Sequence, residues 1–234
     1  MSLQTPSTSS PIVSKSSYRY VKYTFFKVDS EWKRLPVGTS EASKKDFLNK
    51  LNQYEREFSI RTYSLTGTRA DADFATWLIT DSVESIQDIH GSLLKTSLGK
   101  YVSTPYSYLA MFKPSEYFGK STEPEPVGSK YLFVYPLTKK REWYGLPFEE
   151  RQRMMRDHVQ VGHKYSSVKI HTAYSFGLDD YEFVLSFETD HPQDFLNLVI
   201  ELRTSEASKY TAVETPLFTC VKVEPEKMLD LLGP

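Results

Sequence analysis

Cysteine is almost missing from this chain of 234 residues, glycine is scarce, and long apolar runs are absent. A single thiol, Cys220, excludes an intrachain disulfide and any metal cluster built on several cysteines. No stretch approaches the roughly 18 consecutive apolar residues of a membrane-spanning helix, so no membrane partner is expected. The first 17 residues are rich in Ser, Thr and Pro and carry no hydrophobic block. They read as a disordered tail rather than a signal peptide, and the expected compartment is the cytoplasm. An excess charge of either sign is also lacking: 29 basic against 30 acidic residues leave a net charge of −1. Without a basic footprint, nucleic acid is not expected as a partner. On charge alone, the short run Lys139, Lys140 and Arg141 reads as a solvated loop. There is no Gly-rich phosphate loop, no HExxH, no nucleophile-elbow serine and no paired cysteines.

Aromatic residues are plentiful: 16 Tyr, 14 Phe and 3 Trp make up 14% of the chain. That excess implies a large core, a flat apolar ligand pocket or sizeable subunit interfaces. With 39% hydrophobic and 25% charged residues, the composition is that of a globular, water-soluble protein.

The chain also repeats itself. Residues Ala70 to Tyr101 align without a gap on Asp179 to Tyr210, at an offset of 109 residues. Asp71 falls on Asp180, Phe74 on Phe183, Thr80 on Thr189, Asp81 on Asp190, Ile89 on Leu198 and Leu93 on Leu202. Both copies are followed by a Thr-Pro pair, Thr104-Pro105 and Thr215-Pro216. A core pattern held over a whole strand and helix indicates a duplication. Each half predicts strand, helix, strand, strand, helix, strand. The first runs through Tyr18 to Val28, Ser40 to Phe58, Ser59 to Thr66, Phe74 to Thr80, Val83 to Leu98 and Tyr106 to Phe112. The second runs through Tyr131 to Leu137, Pro147 to His163, Val168 to Phe176, Tyr181 to Glu188, Pro192 to Ser208 and Leu217 to Val223. Pro147 suits a first helical turn, where its missing N–H costs nothing. This order is the ferredoxin-like unit, so the expected fold is α+β: two tandem ferredoxin-like halves packed sheet to sheet as a barrel-like body. The expected organisation is a tail over 1–17, a first half over 18–113, a linker over 114–129 and a second half over 130–234.

Of five histidines, His158 is the informative one. Met154, His158, Val161 and Tyr165 recur at spacings of four, three and four, which places His158 on the core-facing stripe of its helix. On that pattern alone, the ordinary reading is a core histidine satisfied by a hydrogen bond. His163 lies about 140° further around the helix, so the two cannot share one ion. A single axial ligand to a haem iron is a different requirement: one imidazole in a dry pocket, oriented through its other nitrogen.

The stretch from Tyr135 to Asp180 resembles the chlorite dismutase and coproheme decarboxylase superfamily, especially its actinobacterial coproheme decarboxylases. The likeness is carried by Tyr135-Pro136-Leu137-Thr138-Lys139, Glu142-Trp143-Tyr144-Gly145-Leu146-Pro147, Glu150-Arg151, Asp157-His158 and Gly177-Leu178-Asp179-Asp180-Tyr181-Glu182. Arg69 to Phe74, Pro114 to Tyr117 and Glu214 to Thr219 extend it over nearly the whole chain.

The resemblance implies an iron porphyrin, haem b or coproheme III, with His158 as proximal ligand and Glu206 hydrogen-bonding that histidine. It implies that Lys139 pairs with a propionate or with the proximal network, and that Tyr135 is the redox-active residue that oxidises a propionate. Trp143, Met155 and Ile170 complete the expected pocket. Hydrogen peroxide is the implied co-substrate and a homo-oligomer, commonly a pentamer, the implied assembly.

Departures accompany the likeness. Ile170 stands where chlorite-degrading members keep a distal arginine, and an aliphatic chain cannot hold chlorite by charge. Thr122 stands nearest the place of the distal histidine of actinobacterial decarboxylases, and the arginine before the Tyr-Pro motif is missing. His171, next to Ile170, is expected to face the other side of its strand. The implied activity is peroxide-dependent decarboxylation of coproheme III to haem b. A haem peroxidase of unknown substrate, a non-catalytic haem carrier and a haem-free interaction module remain open.

Overall fold

The computed structural model describes residues 19–119 and 126–234; the expected tail and Thr122 lie outside the described residues. The first half comprises β1 (Arg19–Val28), α1 (Val37–Glu55), β2 (Ser59–Ser64), β3 (Phe74–Thr80), α2 (Val83–Leu94) and β4 (Val102–Phe112). The second comprises β5 (Tyr131–Lys139), a short α3 (Arg141–Gly145), α4 (Phe148–Lys164), β6 (Lys169–Tyr174), β7 (Phe183–Thr189), α5 (Pro192–Arg203), β8 (Thr211–Val213) and β9 (Phe218–Lys222). A terminal α6 (Pro225–Asp230) follows. The strand order β4-β1-β3-β2 in the first half is matched by β9-β5-β7-β6 in the second. Both are the ferredoxin-like arrangement.

The two sheets meet at their edges. Met111 of β4 pairs with Tyr174 of β6, and Tyr63 and Ser64 of β2 pair with Lys222 and Val221 of β9. The second half then closes through β5, which pairs with β7 from Tyr131↔Thr189 to Leu137↔Phe183 and with β9 from Tyr131↔Val221 to Val134↔Phe218. The result is one closed barrel, with β8 attached beyond it at Thr138 and Lys139. Pro136 falls in the gap between the β9 and β8 pairings, where a missing N–H costs no ladder bond on that edge.

Strand alternation sorts the side chains. Val21, Tyr23, Phe25, Trp77, Ile79, Leu132, Val134 and Phe218 fill the barrel. Phe133 and Tyr135, one residue out of step, face the helices instead. In the first half, α1, α2 and α6 pack Phe47, Leu51, Ile89, Leu93, Met228 and Leu229 onto Phe26, Phe74 and Leu78. That packing leaves a cavity of only about 20 Å³ between sheet and helices, lined by Lys22, Thr24 and His90 among apolar neighbours.

Helix ends differ from expectation where local turns intervene. The expected helices Val83 to Leu98 and Pro192 to Ser208 both stop early, at Leu94 and Arg203, and each is followed by a separate 3-10 turn, Leu98–Tyr101 and Glu206–Tyr210. Pro147 precedes α4 rather than lying within it, and its carbonyl accepts the amides of Glu150 and Arg151 at 3.2 Å. Arg141, expected in a solvated loop, opens α3 instead, because Trp143 buries itself and pulls one helical turn down with it. Lys139 closes β5.

A polar pair lies inside the barrel. His171 Nε2 is 2.9 Å from Glu188 Oε2, with Glu188 fully buried and His171 nearly so. Glu188 also accepts the amides of Val127 at 2.9 Å and Gly128 at 2.8 Å, which ties the end of the linker to the barrel. His171 stands edge-on to Trp77, on the barrel side as its strand position requires. Burial pushes the Glu188 carboxyl up, but the bonds from His171 and the two amides outweigh it and hold the carboxyl below its ordinary value. A depressed carboxyl stabilises the fold above its unfolded value and loses that contribution as pH falls through the folded one. Glu188→Gln is expected to destabilise the fold by about 3 kcal/mol at neutral pH, since it leaves a buried partner unmatched. Denaturant titrations from pH 7 downward should show the gap narrowing below the ordinary carboxyl range; a constant gap would remove Glu188 from this role.

Candidate functional site

The second half keeps its helix α4 over β5, β6 and β7, and the contact is divided into two clusters. One groups Tyr135, Phe187, Val168, Phe195 and Leu198, with Val161, Tyr165 and Ile170 packed on it. The other groups Trp143, Met154 and Ala207, with Met155, Tyr117 and Tyr210 packed on it. His158 lies on the same helical stripe as Met154 and Val161, between the two clusters. Its residue surface is partly exposed, but its Nδ1 is buried and has no hydrogen-bond partner among the described residues. Burial first, and the nearby charge of Lys139 second, push the imidazole down to about 4. His158 is therefore neutral at physiological pH, the form in which an imidazole nitrogen can ligate a metal.

Lys139 stands on the helix-facing side of β5, four residues from Tyr135. Its Nζ donates to the carbonyl of Ala207 at 2.9 Å and lies 4.8 Å from the centre of the Trp143 ring. Burial pulls the ammonium down to about 8, against an opposing pull from Glu182. Glu182 fixes the end of β5, accepting the Lys139 amide at 2.7 Å and the Tyr144 hydroxyl at 2.6 Å. Tyr135 is 7% exposed and stacks on Phe187 at 5.6 Å. Burial pushes its phenol up to about 12, so the hydroxyl keeps its proton at neutral pH. Ile170 packs against the same cluster and lies under Gly162 of α4, where an added Cβ would meet Ile170 Cδ1 at 3.3 Å.

The structure thus brings Lys139, Trp143 and Met155 to one end of the α4 contact and Tyr135 and Ile170 to the other, with His158 between them. Glu206 behaves differently from the sequence expectation. Its carboxylate accepts from Arg153 Nη2 at 2.9 Å, and both side chains are about half exposed. Arg153 competes successfully because it projects from the outer side of α4, whereas His158 projects inward. Arg153 and Glu182 are not legible as site residues, because their contacts with Glu206, and with Lys139 and Tyr144, join segments distant in the chain. Tyr117 is a third, held against α4 by Gln152, whose Nε2 donates to its carbonyl at 3.0 Å, and by Arg151.

Comparison with known proteins gives a consistent answer. A family model described as chlorite dismutase matches residues 40–223. A coproheme decarboxylase of Mycolicibacterium smegmatis is 36% identical over 172 residues, spanning 71% of this chain and 74% of that protein. A second, from Staphylococcus carnosus, is 32% identical over 184 residues, spanning 70% and 73%. A mutant chlorite dismutase from Candidatus Nitrospira defluvii superposes with a TM-score of 0.85 over 94% of this chain and 97% of that one, at 24% identity. That last likeness concerns the fold.

Removing the Lys139 charge should make the imidazolium easier to form. In haem-free Lys139→Met, the His158 value is expected to rise from about 4 toward the ordinary histidine range. A 15N NMR titration reads this directly, and an unmoved value would separate the two residues.

Proposed function

Because the chain belongs to the chlorite dismutase family, we propose that it is a haem-dependent oxidoreductase that uses peroxide to convert coproheme III to haem b, with His158 as the proximal ligand. The observation that carries this reading is the neutral His158, its Nδ1 buried and unpaired, set between two apolar clusters beside a buried lysine. An uncharged imidazole with an unengaged nitrogen is a group that would hold a porphyrin iron. The coproheme decarboxylases among its relatives supply the substrate class. When bound, the iron porphyrin supplies the oxidising power drawn from peroxide.

The protein's own residues take the remaining tasks. Tyr135 is a buried phenol that keeps its proton at neutral pH, so its oxidation to a phenoxyl would release that proton as well as an electron. That phenoxyl would take a hydrogen atom from a propionate of the bound coproheme, and the peroxide-derived oxidant would accept the second electron as the C–C bond breaks, CO2 leaves and the vinyl group forms. Lys139, charged but poorly hydrated, gains more from a carboxylate partner than an exposed lysine would. Trp143 and Met155 form an apolar wall at one end, and Ile170 at the other. Ile170 offers no charge for chlorite and no base toward peroxide, so chlorite dismutation is not proposed. The same lack of a base favours a second reading, a haem carrier or slow peroxidase. A homo-oligomer, a pentamer by resemblance, is part of this proposal; Leu196 at 60% and Ile200 at 58% exposure offer an apolar outer face on α5.

His158→Ala is expected to fold but to lose the five-coordinate haem spectrum; an unchanged Soret band and affinity would remove the ligand assignment. Tyr135→Phe should bind coproheme nearly as tightly as the parent, because the ring still packs on Phe187. Its turnover with added peroxide should collapse, since only the hydroxyl required in the transition state is lost. Mass spectrometry of the porphyrin decides the matter. Wild-type protein that binds coproheme but never yields the divinyl product under excess peroxide would leave the carrier or peroxidase.

A further inference from the structure

The duplication presents the corner around Lys139 twice. Phe74 and Phe183 are equivalent in the repeat and pair with Phe26 and Leu137. Val28 and Lys139, two residues on, therefore hold equivalent places at the ends of β1 and β5. Asp73 and Glu182 precede the two phenylalanines, and their backbones bond alike. Asp73 donates to the Phe26 carbonyl and accepts the Leu65 amide, both at 2.8 Å. Glu182 donates to the Leu137 carbonyl at 3.2 Å and accepts the Ser175 amide at 2.8 Å. The carboxylates then cap the two strand ends: Asp73 Oδ2 accepts the Val28 amide at 2.8 Å, and Glu182 Oε2 accepts the Lys139 amide at 2.7 Å. A buried tryptophan follows each strand, Trp32 or Trp143, against Tyr101 at 5.9 Å or Tyr210 at 5.4 Å. Pro36 and Pro147 then precede α1 and α4. So much belongs to the shared backbone plan, and no ligand is needed to explain it.

The two corners differ where Lys139, Glu182 and Tyr144 stand. Valine 28 is replaced by a lysine, whose Nζ lies 4.8 Å from the centre of the Trp143 ring and donates to the Ala207 carbonyl at 2.9 Å. Asp73 is replaced by a side chain one methylene longer. Asp73 uses its second oxygen on Lys27 at 3.0 Å, whereas Glu182 Oε2 reaches the Tyr144 hydroxyl at 2.6 Å. Tyr144 in turn stands where the first half has the exposed Lys33. One carboxylate oxygen thus ties the end of β5 to α3, the two elements that carry the lysine and the ring it lies against. Glu182 also opposes the effect of burial on the Lys139 proton. An ammonium has three donors, and the Ala207 carbonyl takes one.

We propose that Glu182 is the positioning residue of a carboxylate-binding corner: by holding the Lys139 amide and the Tyr144 hydroxyl together, it keeps the Lys139 ammonium at the Trp143 ring, where it takes a propionate of the porphyrin. This rests on the haem reading above and deepens it, since it assigns to one corner the preference for a porphyrin with free acid groups. A lysine held in one place loses less freedom on pairing than a mobile one.

The test compares wild type, Glu182→Asp, Tyr144→Phe, the double variant and Asp73→Asn in the full chain. Glu182→Asp copies the first half, whose shorter carboxylate still caps its strand, and gives up the reach to Tyr144. Tyr144→Phe removes the same contact from the other side, at an exposed ring whose loss leaves the fold intact. In haem-free protein, NMR should find the Lys139 Cε protons shifted upfield by the Trp143 ring. That shift is expected to shrink in Glu182→Asp and in Tyr144→Phe, and no further in the double variant. Coproheme should bind each of the three about tenfold more weakly than wild type. Coproheme methylated on its propionates should bind all of them alike, because no carboxylate is left to read the lysine. Asp73→Asn should lower stability and leave both measurements as in wild type. An unmoved Lys139 shift in Glu182→Asp and Tyr144→Phe, or an equal loss of affinity for free and methylated coproheme, overturns the assignment and leaves Glu182 as a strand cap. Failure of the haem reading looks different: wild type would then take up neither porphyrin, while the haem-free shift still judges the hold on Lys139.

Discussion

Closure of the barrel at β5 is the constraint on which the site depends. This strand is hydrogen-bonded on one edge to β7 and on the other to β9, so it cannot shift register without opening the ring. A slip of one residue would send Tyr135 and Lys139 into the barrel and bring Leu132 and Val134 under the helices. Because the register is fixed on both edges, two polar groups that the site requires are held on the helix side. The buried Glu188 reinforces this from within, since it joins β7, β6 and the end of the linker through His171, Val127 and Gly128.

The duplication built two similar compartments, and only one carries the constellation. By strand pairing, Thr24 of the first half occupies the place that Tyr135 holds in the second, since Thr24 faces Thr76 as Tyr135 faces Leu185. In the first half, α1, α2 and α6 press large side chains onto the sheet and leave room for about one water molecule. In the second, α4 carries charged and polar residues along much of its length and buries only Met154 fully. The two halves therefore share a backbone plan and differ in how completely a helix seals its face of the sheet.

Burial of basic groups is the electrostatic theme of the second compartment. Both His158 and Lys139 lose affinity for protons because water is excluded, and the charge on Lys139 adds to the cost of charging His158. A negatively charged guest between them and the solvent would relieve that cost. Tyr135 shows the complementary effect, since the same exclusion keeps its proton bound.

The sequence by itself determined the element order, the duplication, the strand faces of Tyr135, Lys139 and His171, and the inward stripe of His158. All of these follow from local periodicity, in which a residue's direction is set by neighbours a few positions away. What only the tertiary structure decided are contacts between distant segments: Lys139 on the Ala207 carbonyl, Glu182 at the end of β5, and Glu206 on Arg153 rather than His158. The breaks after Leu94 and Arg203 belong there too, because the 3-10 turns that follow bury Leu98 and Ala207 against other elements. A hydrogen bond between residues 43, 53 or 68 positions apart depends on which elements the barrel brings side by side. No spacing in the chain encodes that.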